Sequence, residues 1–348
     1  MNLFIIQPIL TKYREPLFSA LGNNNDCNVT VMAEQASSSF GKVTTNKFNF
    51  LQIKWRRFLV FYFLSPFQLY KALSNQDKII HFVDYKYFSL WICLFCNIFW
   101  RKKVYLHGHG GYKRQGVLSS LIHTIYLLFA SGYICYCEYS AHHLKSITSK
   151  LLHKKISIVP NSLYLEPETK ITSAAKTKNI FYIGRVRERC GLEILLKSAE
   201  QLGLVVEVLG TGDTNYKEKL KASFPTANFH GAVYEDKKQR QIARKCFCGV
   251  YAGDAGLSVV HYMAFGLPVI IHGNMRMHMG PEPSYVIHKG NGLIFKRQNV
   301  DSLVHTLDEL IKNEHLRTTL ATGALKTFNA LRDPPMHESF LKILGEKI

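Results

Sequence analysis

Residues Gly249 to Phe295 read GVYAGDAGLSVVHYMAFGLPVIIHGNMRMHMGPEPSYVIHKGNGLIF. An apolar strand through Tyr251 enters a polar loop carrying Gly253, Asp254 and Gly256. The run from Ser258 through Met263 predicts a helix, Gly266-Leu267-Pro268 turns the chain, and Val269–Ile271 predicts the next strand. Strand, glycine-bearing loop, helix and strand form a βαβ unit, whose strands are parallel. The loop then lies at the carboxyl end of its strand. The N–H groups of Gly256, Leu257 and Ser258 open the helix, where donors lack intrahelical partners and the dipole is positive. Phosphate-bearing ligands bind at such places.

The same alternation runs through the chain. Leu3–Pro8, Asn28–Ala33, Lys78–Val83, Val104–Leu106, Gly132–Cys137 and Ile156–Val159 read as strands of a first half. Ser37–Asn49 reads as a loop, Tyr85–Trp100 and a stretch from about Val117 as helices, and Glu166–Lys178 as a linker. Asn179–Ile183, Val205–Gly210 and Asn228–Gly231 read as strands of a second half. Its helices are Glu235–Cys246, Val300–Asn313 and Glu314–Leu331, with Met336–Leu344 last. The expected fold class is α/β, with two doubly wound Rossmann-like domains facing an interdomain cleft. The expected bounds are 1–170, 171–331, and a C-terminal helix within 332–348 that packs back on the first domain.

A chain of 348 residues with 47% hydrophobic and 20% charged residues has the composition of a globular protein and room for two cores. The net charge is +19. Lys and Arg outnumber Asp and Glu by 20 to 8 in residues 1–170 and by 24 to 17 in the rest, so most of the excess lies in the first half. Anionic partners are favoured: nucleotides, phosphates or acidic lipid. No nucleic-acid recognition motif accompanies the charge. The eight cysteines have no disulfide or zinc spacing; Cys93 and Cys96 fall inside the apolar run LWICLFC. They read as buried free thiols. His142-His143 is not a metal pair, because adjacent helical residues point to different sides. No metal and no cofactor are expected. Tyr87–Trp100 and Leu118–Ala130 fall short of the ~20 apolar residues of a membrane span and read as buried crossover helices.

In the first half a strand ends in His107-Gly108-His109-Gly110-Gly111-Tyr112-Lys113. The glycines permit close backbone approach to a ligand, and imidazole can donate, accept or shuttle a proton. In the second half Arg185 follows the strand Asn179–Ile183 and Gly184. A guanidinium at that position suits a pyrophosphate, which it binds in bidentate fashion.

Taken together these motifs resemble the retaining GT-B glycosyltransferases of family 4. Gly256-Leu257, Met263-Ala264, Gly266, Pro268-Val269 and Asn291-Gly292-Leu293 match that family's pattern. The family's two glutamates are replaced: the first falls on Gly253, beside Asp254, and the second on His261. Its lysine after Gly184-Arg185 falls on Cys190, with Arg187 and Arg189 nearby. Val159-Pro160-Asn161 resembles the Ile-Pro-Asn motif that closes the first domain. The resemblance implies transfer of a sugar from a nucleotide-diphosphate sugar to an acceptor hydroxyl, with retention and without metal. It implies His107 and Asp254 as catalytic residues. It implies His109, Gly110, Asn161, Arg185, Arg189, Gly256, Leu257, Ser258, His261 and Glu282 as substrate-binding residues.

Trp55–Leu64 reads WRRFLVFYFL, and Phe99–Lys103 reads FWRKK. Cations beside aromatic rings suit a membrane interface; an ordinary core strand and helix with surface arginines is the alternative. With the resemblance, this implies a lipid-linked oligosaccharide acceptor, as in O-antigen, capsule or lipopolysaccharide synthesis. The protein would lie in the cytoplasm, peripheral on the inner face of the membrane. A non-catalytic GT-B partner subunit is the competing reading, supported by the replaced glutamates. A sugar-nucleotide epimerase is a third, disfavoured because the further acids it needs are absent.

Overall fold

A computed structural model describes residues 1–24, 27–35, 47–74, 77–99, 103–114, 116–169 and 178–345. Most of the loop expected at Ser37–Asn49, the centre of Phe99–Lys103 and most of the linker expected at Glu166–Lys178 lie outside these residues. The chain divides into two compact units, Met1–Pro160 with Pro334–Ile348, and Asn161–Asp333.

The first unit contains β1 (Asn2–Leu10), α1 (Glu15–Gly22), β2 (Asn28–Gln35), β3 (Asn49–Gln52), β4 (Arg56–Phe58) and β5 (Phe61–Phe63). There follow α2 (Pro66–Leu73), β6 (Lys78–Phe82), α3 (Phe88–Phe99), β7 (Lys103–Gly108), α4 (Val117–Phe129), β8 (Gly132–Cys135), α5 (Glu138–Ser146) and β9 (Ile156–Ile158). Seven strands form one sheet in the order β3-β2-β1-β6-β7-β8-β9, and every pairing is parallel. β6 is buried along its whole length, as a central parallel strand covered on both faces must be. The order reverses between β1 and β6, so their carboxyl ends flank a topological switch point.

The second unit contains β10 (Asn179–Ile183), α6 (Leu192–Gln201), β11 (Val205–Leu209), α7 (Thr214–Ser223), β12 (Asn228–Gly231), α8 (Asp236–Ala243) and β13 (Cys246–Tyr251). It continues with α9 (Ser258–Ala264), β14 (Val269–His272), β15 (Gly292–Phe295), α10 (Val300–Lys312) and α11 (Glu314–Leu331). Its six strands run β12-β11-β10-β13-β14-β15, again all parallel, with the switch point between β10 and β13. The core joins both faces of this sheet: Phe181, Val208 and Val250 from strands pack with Leu195, Met263 and Leu307 from helices. Each such side chain contributes roughly 1.5–3 kcal/mol by leaving water. α12 (Met336–Leu344) belongs to the first unit, where its Phe340 ring stands 5.0 Å from that of His107.

All eight cysteines are free and buried. Two expectations need correction. Of the two readings of Trp55–Leu64, the ordinary core strand and helix fails: β4 and β5 form a separate antiparallel hairpin, with only Trp55 buried. The crossover helices α3 and α4 are also not buried all round. Each puts one face on the sheet and leaves apolar residues in water, among them Phe95 and Phe99 of α3 and Leu118, Leu121 and Leu128 of α4. A single helix beside a sheet can cover only one of its own faces. No described helix is long and apolar enough to cross a membrane.

Candidate functional site

In the second unit two turns meet at the switch point. The turn after β10 carries Arg185, Arg189 and Gly191; the loop after β13 carries Gly253 to Ser258. Two backbone hydrogen bonds join them, Gly253 N–H to the Cys190 carbonyl and Asp254 N–H to that of Arg189, both 3.1 Å. The approach leaves no room at Gly253. A Cβ there would stand 2.3 Å from the Cys190 carbonyl carbon and 2.4 Å from the Arg189 oxygen. Glycine at 253, where the family pattern has glutamate, is therefore enforced by the backbone of the neighbouring turn. Gly191 adopts φ +68°, and a Cβ there would meet Gly253 N at 2.3 Å.

Asp254 is the acid that remains. Its carboxylate is buried and gathers three partners. Arg297 donates to Oδ1 through Nη2 at 3.1 Å and Nε at 3.3 Å. His272 Nε2 lies 3.5 Å from Oδ1, and Arg189 Nη2 lies 3.9 Å from Oδ2. Opposite charges of this kind repay the desolvation of a buried carboxylate. The imidazole's tautomer follows from its other bonds. His272 Nδ1 accepts from Asn274 N–H at 3.2 Å, which leaves the proton on Nε2, toward Asp254. His278 stacks on His272 at 3.9 Å, accepts from Ala255 N–H and donates to the His272 carbonyl. The histidine pair thus braces the loop that carries Asp254.

Sequence reasoning missed His272, His278 and Arg297. They come from β14, the following loop and the residues after β15, so they reach Asp254 or its loop only once the strands are ordered. The available signal was position: His272 ends its strand and Arg297 follows close on one, and strand carboxyl ends are where such folds collect functional groups.

Arg185 is exposed, and its carbonyl accepts from Tyr182 Oη at 2.7 Å, which fixes the backbone at the strand's end. Gly256, Leu257 and Ser258 open α9, a two-turn helix. His261, on that helix, is largely buried; its Nδ1 has no hydrogen-bond partner among the described residues, and burial lowers its pKa to about 4. Glu282 is buried and accepts from the Asn161 side-chain amide. Its carboxylate borders Gly256, since a Cβ on Gly256 would come within 3.9 Å of Glu282 Oε2. The structure thus joins Asn161, Glu282 and Gly256, and separately Arg189 and Asp254.

In the first unit β7 delivers His107 at its end and His109 just beyond. Gly110, at φ +63°, turns the chain so closely on Ser140 that a Cβ would meet its carbonyl oxygen. The Gly110 N–H donates to Tyr133 Oη at 3.1 Å. Both imidazoles lie against Tyr136, with ring centroids 4.4 Å and 4.7 Å away, and the Arg14 guanidinium stands 5.9 Å from the same ring. His107 is buried, and its Nε2 has no partner among the described residues. Burial, then the Arg14 charge, then His109 hold its pKa well below the usual range. His109 is lowered to about 4 by burial, then Lys113 and Arg14. Both rings are neutral at pH 7 and act there as hydrogen-bonding groups, not as cations. No cluster of three or more His, Cys, Asp or Glu with metal-binding geometry occurs among the described residues.

Residues 166–327 match the family model "Glycosyl transferases group 1". No curated protein sequence matches the chain. Among solved structures, the chain is similar to Anabaena HepE in complex with UDP, with TM-score 0.73, 14% identity and 99% of each chain covered. It is similar to sucrose-phosphate synthase from Thermosynechococcus elongatus, with TM-score 0.71, 14% identity, and 99% of this chain and 98% of that one covered. It is also similar to WaaG, a glycosyltransferase involved in lipopolysaccharide biosynthesis, with TM-score 0.66, 12% identity, and 99% and 100% covered. The fold is that of the GT-B glycosyltransferases: two parallel-sheet α/β domains of Rossmann type.

Proposed function

We propose that this protein transfers a sugar from a nucleoside diphosphate sugar to an acceptor hydroxyl, with retention at the anomeric carbon and without a metal. The reading is carried by the switch point of the second unit. There a helix-opening loop, Gly256 to Ser258, and the arginines after β10 stand at the carboxyl end of a sheet that matches the group 1 model. Arg185 and Arg189 bind the diphosphate, whose oxygens a guanidinium fork matches, and helix-opening N–H groups complete the cradle. The bond from the anomeric carbon to the diphosphate breaks, the acceptor oxygen bonds to that carbon on the same face, and the acceptor proton passes to the departing diphosphate oxygen. Fixed donors aimed at the developing negative charge supply most of the acceleration. Glu282 and Asp254 accept sugar hydroxyls, and His261 bonds a ribose hydroxyl.

A thermal-shift series against UDP, GDP, ADP, CMP and their common sugar conjugates tests this. One nucleoside diphosphate is expected to stabilise the protein by about 2.7 kcal/mol at a hundredfold excess over Kd. Arg185→Ala should abolish that shift. Absence of a shift with every nucleotide sinks the reading and favours the alternative, a non-catalytic GT-B partner subunit. One observation favours that alternative: Gly253 excludes the family glutamate, and Asp254 is already engaged by Arg297.

We further infer that the acceptor is a lipid-linked oligosaccharide for O-antigen, capsule or lipopolysaccharide, met at the inner face of the cytoplasmic membrane. The β4–β5 hairpin supports this. Its tip exposes Phe58, Leu59, Val60 and Phe61 beside the exposed Arg56 and Arg57. Leu59 holds φ +53°, an unfavourable backbone for a bulky residue, with its carbonyl bonded by Arg57 Nε at 2.9 Å. An apolar tip with flanking arginines suits entry below anionic headgroups. Sedimentation with phosphatidylglycerol vesicles should retain the protein. Arg56→Ala with Arg57→Ala should weaken binding by about 2 kcal/mol, near thirtyfold, at about 1 kcal/mol per arginine. Equal binding to neutral phosphatidylcholine would remove the support.

A further inference from the structure

The three side chains gathered on Asp254 are not equivalent. Arg297 donates to Oδ1 twice, and its side chain is 25% exposed. His272 is fully buried, with Nε2 3.5 Å from the same oxygen. Arg189 stands 3.9 Å from Oδ2, too far for a hydrogen bond, with 56% of its side chain exposed. Among the described residues Oδ2 receives no hydrogen bond and the Arg189 guanidinium makes none. We propose that Arg297 is a positioning residue for diphosphate binding: it neutralises Asp254 and so keeps the Arg189 guanidinium free for the phosphate oxygens of the donor. The identity of that anion rests on the transferase reading.

Charge counting carries the assignment. One carboxylate between two guanidiniums leaves a net positive charge, and the geometry decides which guanidinium keeps it. Arg297, nearer and less exposed, is paired; Arg189, farther and more exposed, is not. Without Arg297 the buried carboxylate would lack a charged partner and draw Arg189 inward, because a buried charge is costly unless paired. Carboxylate and phosphate compete for the same planar fork, so a captured Arg189 binds a diphosphate less well. The neighbours cannot take over either task. Cys190, where the family pattern has lysine, is a buried thiol, which leaves the cation of this turn to its arginines. His272 brings a dipole and not a charge. Burial lowers its pKa, and its Nδ1 already accepts from Asn274 N–H at 3.2 Å.

Isothermal titration of the full chain with UDP, GDP, ADP and inorganic pyrophosphate tests this. At least one of the four is expected to bind the parent, and Arg297→Gln should weaken that binding about tenfold. Arg297→Gln combined with Asp254→Asn should bind within threefold of the parent, because no carboxylate is left to capture Arg189. Arg297→Lys, which keeps the charge, should also stay within threefold. In an Arg189→Ala background Arg297→Gln should change nothing further. A residue that only held the loop in shape would show no recovery with Asp254→Asn, which removes the anchor of the loop altogether. The double variant carries the test should Arg297→Gln alone lose its circular dichroism. Parent-like binding by Arg297→Gln, no recovery in the double variant, a loss with lysine as large as with glutamine, or a tenfold effect that persists without Arg189 overturns the proposal and leaves the transferase reading standing. Failure of all four ligands to bind the parent sinks that reading, and this proposal with it.

Discussion

Gly253→Ala is expected to destabilise the second unit by about 3 kcal/mol, and Gly253→Glu by at least as much. A single added carbon meets three backbone atoms, the Cys190 carbonyl carbon, the Arg189 oxygen and Gly191 N, all within 2.5 Å. Backbone cannot swing aside as a lysine tip can. Either the turn 189–191 moves and both inter-turn hydrogen bonds break, or the loop 253–258 moves and Asp254 leaves Arg297. Overpacking of this kind costs about 1–3 kcal/mol even where side chains absorb it, and here each escape also loses paired polar groups. The measurement is simplified by the tryptophans, which stand at 55, 91 and 100 and so lie outside the second unit. Far-ultraviolet circular dichroism in urea should show an early transition that tryptophan fluorescence does not share. A Gly253→Ala midpoint within error of the parent would mean that the two turns are not held together as described. The functional corollary is sharp: the family's glutamate cannot be restored at 253 by one substitution, so a variant made to recover it should lose nucleotide binding.

The same loop shows how far the residues could be read in advance. Its strand–loop–helix–strand order was legible because Gly256, Gly266 and Pro268 punctuate apolar runs of different period. That Gly253 departs from the pattern was legible; why it departs was not, because the reason is the backbone of residues 189–191, far earlier in the chain. Arg297, His272 and His278 were invisible for the same cause, since their link to Asp254 crosses three strands and leaves no local spacing. The hairpin at 56–63 failed differently. Phe58, Leu59, Val60 and Phe61 are consecutive apolar residues, so no period assigned them a face, and exposure at a membrane interface stood beside burial in a core; the structure removes the second. α3 and α4 misled likewise: their apolar content exceeds what one sheet face can cover, and the surplus stands in water.

Acid should unfold the first unit near pH 4. His81 and His109 both have pKa values lowered to about 4, in each case chiefly by burial. His81 is held neutral by geometry as well: Nδ1 donates to the Phe82 carbonyl at 2.5 Å, so Nε2 is the acceptor for Ser89 Oγ at 2.9 Å. In the unfolded chain both rings titrate near 6.5. Between pH 6.5 and 4 the unfolded state therefore binds about two more protons than the folded one. Stability is fully present above 6.5 and falls with pH at about 3 kcal/mol per unit. By pH 4 the loss approaches about 7 kcal/mol, comparable with the roughly 5–15 kcal/mol that holds a domain together. His107 adds to the loss in the same direction. In the second unit His261, also near 4, adds about 3 kcal/mol of its own. Tryptophan fluorescence, which reports the first unit, should thus shift at higher pH than the remaining circular dichroism. Urea midpoints by fluorescence, taken from pH 7 to pH 4, give the slope directly, and His81→Gln should reduce it by one proton. A fluorescence-reported stability that stays flat across that window would mean that these imidazoles charge inside the folded protein.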